Sequence, residues 1–70
     1  MKYREVARKL GQLGCIEIAR RSGGSHRKWQ NPQNGNGAII PDHGNQDLKT
    51  GTLHAVVKQL GLEWEIFEKA

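Results

Sequence analysis

Residues 15–41 read CIEIARRSGGSHRKWQNPQNGNGAIIP, and their reading decides the fold. Residues 15–21 are rich in β-formers and alternate, with Ile16 and Ile18 on one side and Cys15, Glu17 and Ala19 on the other. Ser22-Gly23-Gly24-Ser25 has the composition of a turn. A short polar strand over 26–30 follows, centred on Trp29. Asn31-Pro32-Gln33-Asn34-Gly35-Asn36-Gly37 carries Asn-Gly twice, the signal for positive φ in a hairpin loop. The apolar run 38–41 makes a third strand, which Pro41 ends because proline offers no ladder donor. Three strands joined by turns this short form an antiparallel meander.

Outward from the meander, both flanks read as helices. In residues 2–13, Tyr3, Val6, Ala7, Leu10 and Leu13 recur at three- and four-residue steps and share a face. Arg4, Glu5, Arg8, Lys9 and Gln12 fall on the other face, and Gly14 is placed to stop the helix. After a polar connection, 42–49, Thr50 is expected to cap a helix whose apolar stripe is Leu53, Val56, Val57 and Leu60. Gly61 ends it. Leu62, Ile66 and Phe67 then suggest one short helical turn folding back, partly covered by Trp64. The fold class is therefore α+β: helix, three-stranded antiparallel sheet, helix, with the sheet packed on the two helices.

Length and charge narrow the function. Seventy residues make one small domain, expected over 1–70, which buries only about 60% of its unfolded surface. A deep cofactor pocket is excluded, and a lone cysteine, Cys15, excludes a disulfide scaffold. No apolar run nears the ~18 residues of a membrane span, and no signal-peptide pattern follows Met1, so a cytoplasmic protein is expected. The net charge of +4 is uneven. Lys2, Arg4, Arg8, Lys9, Arg20, Arg21, Arg27 and Lys28 face only Glu5 and Glu17 in residues 1–28, whereas 29–70 are net acidic. A basic half points to a polyanion, most commonly nucleic acid, although a plain solubility bias gives the same count.

Three histidines are candidates for proton transfer. His54 lies beside the apolar stripe of the second helix and reads as a solvated helix residue. His43 sits in the turn Pro41-Asp42-His43-Gly44, where a histidine is usually a surface or hydrogen-bonding residue. His26 instead heads Arg27-Lys28-Trp29 after two glycines and Ser25. Cations beside an imidazole favour its neutral, proton-accepting form, and they attract a phosphodiester and steady charge on its oxygens. An ordinary hairpin turn accounts for the same residues. Trp29 is read as core rather than as a stacking platform for bases. Strand alternation then sends His26, Lys28 and Gln30 outward together. Paired metal-ligand spacing is lacking, so no metal or other cofactor is expected.

Several blocks in order resemble the HicA family of toxin ribonucleases: Gly24-Ser25-His26-Arg27-Lys28-Trp29, Ile40-Pro41-Asp42-His43-Gly44, Leu48-Lys49-Thr50-Gly51-Thr52-Leu53 and Gln59-Leu60-Gly61-Leu62. Glu5-Val6-Ala7-Arg8-Lys9-Leu10 with Leu13-Gly14 fits the same family's first helix, so the resemblance covers nearly the whole chain. It implies a fold like the double-stranded RNA-binding domain and an mRNA interferase of a toxin–antitoxin system. It also implies His26 as the catalytic residue and a HicB-type antitoxin as partner. The stretch from Gly14 to His26 is longer than the common family pattern, and Cys15 stands where phenylalanine is frequent. With that reading, Ser25, Lys28, Arg27, Arg20 and Arg21 are the expected RNA contacts, with no metal. The alternatives are a non-catalytic double-stranded RNA-binding module and a protein-interaction partner without RNA activity. The first commonly clusters lysines at the start of the last helix, where this chain has Lys49 alone.

Overall fold

A computed structural model describes residues 1–18 and 26–70. The expected turn 22–25, the end of the first strand and the side chains of Arg20, Arg21 and Ser25 lie outside the described residues. The elements are α1 (Tyr3–Gln12), β1 (Ile16–Ile18), β2 (His26–Asn31), β3 (Asn36–Pro41), α2 (Thr50–Gln59) and α3 (Trp64–Lys69). The strands form one antiparallel sheet in the order β1-β2-β3. The helices cover one face of it. This is the expected α+β order, with the C-terminal turn extended to a short helix.

Trp29 organises the packing. It is 6% exposed and sits in a cross-strand row between Glu17 and Ala38, the small neighbour leaving room for the indole. Around it the helix-side core gathers Val6 and Leu10 of α1, Ile40 of β3, Leu53, Val56 and Val57 of α2, Leu60, and Phe67 of α3. The expected stripes of both long helices thus face the sheet. The indole Nε1–H donates to the Tyr3 hydroxyl at 3.0 Å, and that hydroxyl donates to Glu17 Oε1 at 3.3 Å. A buried indole N–H needs such a partner.

Two details differ from the sequence reading, and a third is one it left open. Lys9, expected on the solvated face of α1, is 6% exposed. Its ammonium donates to the carbonyls of Glu68 at 2.6 Å and Ala70 at 3.0 Å, and lies 5.9 Å from the Phe67 ring centre. A cation at a helix C-terminus satisfies carbonyls that have no intrahelical donor, so the buried charge is compensated by α3. Thr50 is the first residue of α2 rather than its cap. Lys49 occupies the cap position, and no side chain bonds the first turn. Ile16 and Ile18 lie on the sheet face away from the helices, and Ile16 is 49% exposed.

The β2–β3 turn also grips α2. Asn31 and Asn34 amides donate to the Leu60 carbonyl at 2.9 and 3.1 Å. Gly61 leaves the helix at φ +72°, and a Cβ there would collide with the Asn34 amide. Any other residue is strained at that backbone angle and blocked by the clasp.

Tyr3→Phe leaves the Trp29 N–H buried without its acceptor, so it should lower unfolding free energy by about 1–3 kcal/mol in denaturant titration. Burial pushes the Tyr3 hydroxyl above its ordinary 10.0. The unfolded chain therefore loses this proton first, and stability falls as pH rises from about 10 towards the folded value. Tyr3→Phe should flatten that alkaline limb.

Candidate active site

The pleat of β2 sorts its side chains. Arg27, Trp29 and Asn31 face the helices, while His26, Lys28 and Gln30 face out from the open side of the sheet. His26 and Lys28 are both exposed, with Cα atoms about 7 Å apart at strand rise. Neither makes an ion pair among the described residues. The expected shared face is therefore present. Cross-strand register places Pro41 opposite His26, Ile18 and Ile39 on either side of Lys28, and Ile16 opposite Gln30. With Ile39 52% exposed and Ile16 nearly as open, the histidine and lysine stand beside an apolar strip.

Arg27 was expected among the phosphate-binding cations, and the structure places it on the opposite face. Its Nη1–H donates to Glu17 Oε2 at 3.0 Å and its Nε–H to Asp42 Oδ2 at 2.8 Å. Those two bonds raise the guanidinium pKa further above its ordinary range, and the group also lies 5.3 Å from the Tyr3 ring centre. Asp42 in turn accepts the Gly44 N–H at 3.1 Å, starting the turn that carries His43. One arginine thus joins β1, β2 and the chain leaving β3 at the end of the sheet where His26 sits. Strand parity carried the signal for this clamp: with Cys15 and Trp29 inward, Glu17 and Arg27 must face the helices and need each other there.

The remaining candidates are spread apart. His43 is exposed in the loop after β3, and its carbonyl accepts the Gln46 N–H at 3.3 Å. His54 is on α2 and stacks on Trp64 with ring centres 3.7 Å apart, so it belongs to the contact between α2 and α3. Cys15 is buried, and burial raises its thiol pKa, which removes it as a nucleophile near neutral pH. Among the described residues no group of three or more His, Cys, Asp or Glu side chains converges to hold a metal ion. No described helix is long and apolar enough to cross a membrane.

The architecture is a small α-β-β-β-α domain, with helices on one side of the sheet and an imidazole and an ammonium two residues apart on the other. The profile described as "HicA toxin of bacterial toxin-antitoxin" matches residues 3–62. The chain belongs to the HicA toxin family. A protein of Pseudomonas fluorescens (strain Pf0-1) named "Probable mRNA interferase HicA" is 40% identical over 63 residues, spanning 90% of this chain and 98% of that protein. No solved structure matches significantly.

Replacing Arg27 by methionine keeps the stem and removes both carboxylate bonds. Melting temperature should fall, and hydrogen exchange should quicken at the amides of His26 and Gly44 more than at Trp29. Unaltered exchange at those amides would rule out the clamp.

Proposed function

We propose that this HicA toxin is a metal-independent endoribonuclease that cleaves mRNA in the cytoplasm and blocks translation, with His26 as its catalytic residue. The observation that carries the reading is the solvent-facing imidazole of His26 two residues from Lys28, whose ammonium makes no ion pair among the described residues, in a chain of this family. In the reaction the ribose 2′-oxygen bonds to phosphorus, the bond from phosphorus to the 5′-oxygen breaks, and a 2′,3′-cyclic phosphate and a 5′-hydroxyl result. The 2′-hydroxyl gives up a proton and the leaving oxygen takes one. His26 moves the proton at one of these two oxygens. Lys28 steadies the charge that grows on the phosphate, and Ser25, Arg20 and Arg21 extend the phosphate contact. Arg27, already engaged by two carboxylates, supports that surface from behind.

A HicB-type antitoxin is proposed to cover the same face. Exposed Ile16 and Ile39 flank Lys28, and an apolar strip around a cation suits a partner with apolar contacts and an acidic group.

His26→Ala should lower RNA cleavage at least about a hundredfold while the thermal unfolding curve stays in place, because the side chain is exposed. Cleavage by the wild type should persist in excess chelator; its loss would overturn metal independence. Lys28→Ala should weaken binding to all RNA sequences and flatten the salt dependence by about 0.7 in log–log slope, the release expected from one single-strand phosphate contact. Antitoxin and RNA should compete, and association with the antitoxin should slow as salt rises. Chemical shifts confined to the helical face on antitoxin binding would refute occlusion.

A further inference from the structure

Beside the sheet face is a cleft of about 380 Å³, lined by Pro41, His43, Gln46, Asp47, Leu48, Lys49 and Thr52. Pro41 on its lining is the cross-strand partner of His26, the proposed catalytic residue. Its volume falls within the range of small-ligand sites, and its lining is mainly polar with two apolar residues. Leu48, buried, and Pro41, half-buried, form the floor. His43, Gln46 and Thr52 bring hydrogen-bonding groups to the rim.

The floor is held from below. The Leu48 N–H donates to the Met1 carbonyl at 2.8 Å, and Lys2 bridges to Asp47 in strand fashion. Asp47 also takes the Met1 ammonium at 3.1 Å, so the one carboxylate on the lining is offset by a cation of its own. Lys49 makes no ion pair among the described residues. The charge left to a ligand is therefore positive. Lys9 is consumed by carbonyls and Arg27 by carboxylates, whereas Lys28, two residues from His26 on the open face, and Lys49, on the cleft lining, are both exposed.

We infer that this cleft is a nucleotide subsite, taking the ribonucleotide next to the scissile phosphate of a single-stranded RNA. The base lies against Pro41 and Leu48, its edge is met by Gln46, His43 and Thr52, and Lys49 neutralises the adjoining phosphate. The inference rests on the endoribonuclease reading above and adds where the strand goes after His26.

The test uses the full chain with His43→Ala, Lys49→Ala and the double variant, all at exposed positions that leave the core untouched. Cleavage of a long single-stranded RNA should show KM raised about tenfold in the double variant with kcat within about twofold, the signature of lost binding at a charged contact. A dinucleotide keeps the base that enters the cleft but lacks the phosphate beyond it, so on this substrate Lys49→Ala should raise KM less than it does on the long RNA. Equal KM values on the long RNA would overturn the subsite. So would double-variant losses confined to antitoxin affinity, which would give the cleft to the protein partner. Amide shifts of the wild type with a 2′-O-methyl single-stranded oligoribonucleotide pool, which lacks the attacking hydroxyl, supply a readout independent of catalysis. Shifts at Gln46, Lys49 and Thr52 support the subsite, and shifts limited to β2 overturn it. If no RNA is cleaved but those shifts appear, the enzyme reading fails and the nucleotide cleft stands.

Discussion

Everything at this site depends on the burial of Trp29. A large indole at the centre of a three-stranded sheet can be enclosed only on the side the helices cover, and Ala38 across the ladder gives it the space. Because side chains alternate along a strand, this one burial commits His26, Lys28 and Gln30 to the opposite face. A slip of one residue in register would bury the imidazole and expose the indole. The hydrogen bond from Trp29 to Tyr3 ties that register to α1, whose apolar face packs on the same core.

The same parity creates a difficulty that the fold solves. Arg27 and Glu17 also fall on the helix side, where charged groups lose water. They meet each other there, with Asp42 closing the set, and all three side chains are only partly exposed. The geometry matters more than the pair energies, since ion pairs open to water contribute little. A planar guanidinium bonded through two different nitrogens fixes the angle between β1, β2 and the loop after β3. That loop then carries His43 and leads into the wall of the cleft. The support behind His26 and the entrance to the neighbouring cleft are thus one hydrogen-bonded assembly.

On the open side the balance is reversed. Ile16 and Ile39 remain in contact with solvent around Lys28, an arrangement that stability alone does not call for. The proposed antitoxin would gain apolar burial there and cover His26, the proposed catalytic residue, in a single event. Among the described residues of the helix side, Ile66 of α3 is comparably exposed, while the rest is occupied by the packing of α1, α2 and α3 around Phe67 and Leu60.

The sequence by itself determined the order of elements, the inward face of each long helix and the shared outward face of His26 and Lys28. Those follow from periodicities of 3.6 and 2, which are local properties of the chain. The stop at Gly61 was equally legible, as was the burial of Trp29. The tertiary structure decided which charges remain available. Lys9 looked like a solvated helix residue until α3 folded back and offered the carbonyls of Glu68 and Ala70, some sixty positions away. Arg27 looked like an RNA contact until Glu17 and Asp42 met it from other segments. Ile16 and Ile18 alternate correctly, yet alternation alone does not say which side of a sheet the helices will cover. The cleft beside Pro41 has no local signature, because its walls come from the end of β3, the connection after it and the start of α2, brought together by pairing with Met1 and Lys2. Contacts between distant segments are chosen by the whole packing, and no local period records them.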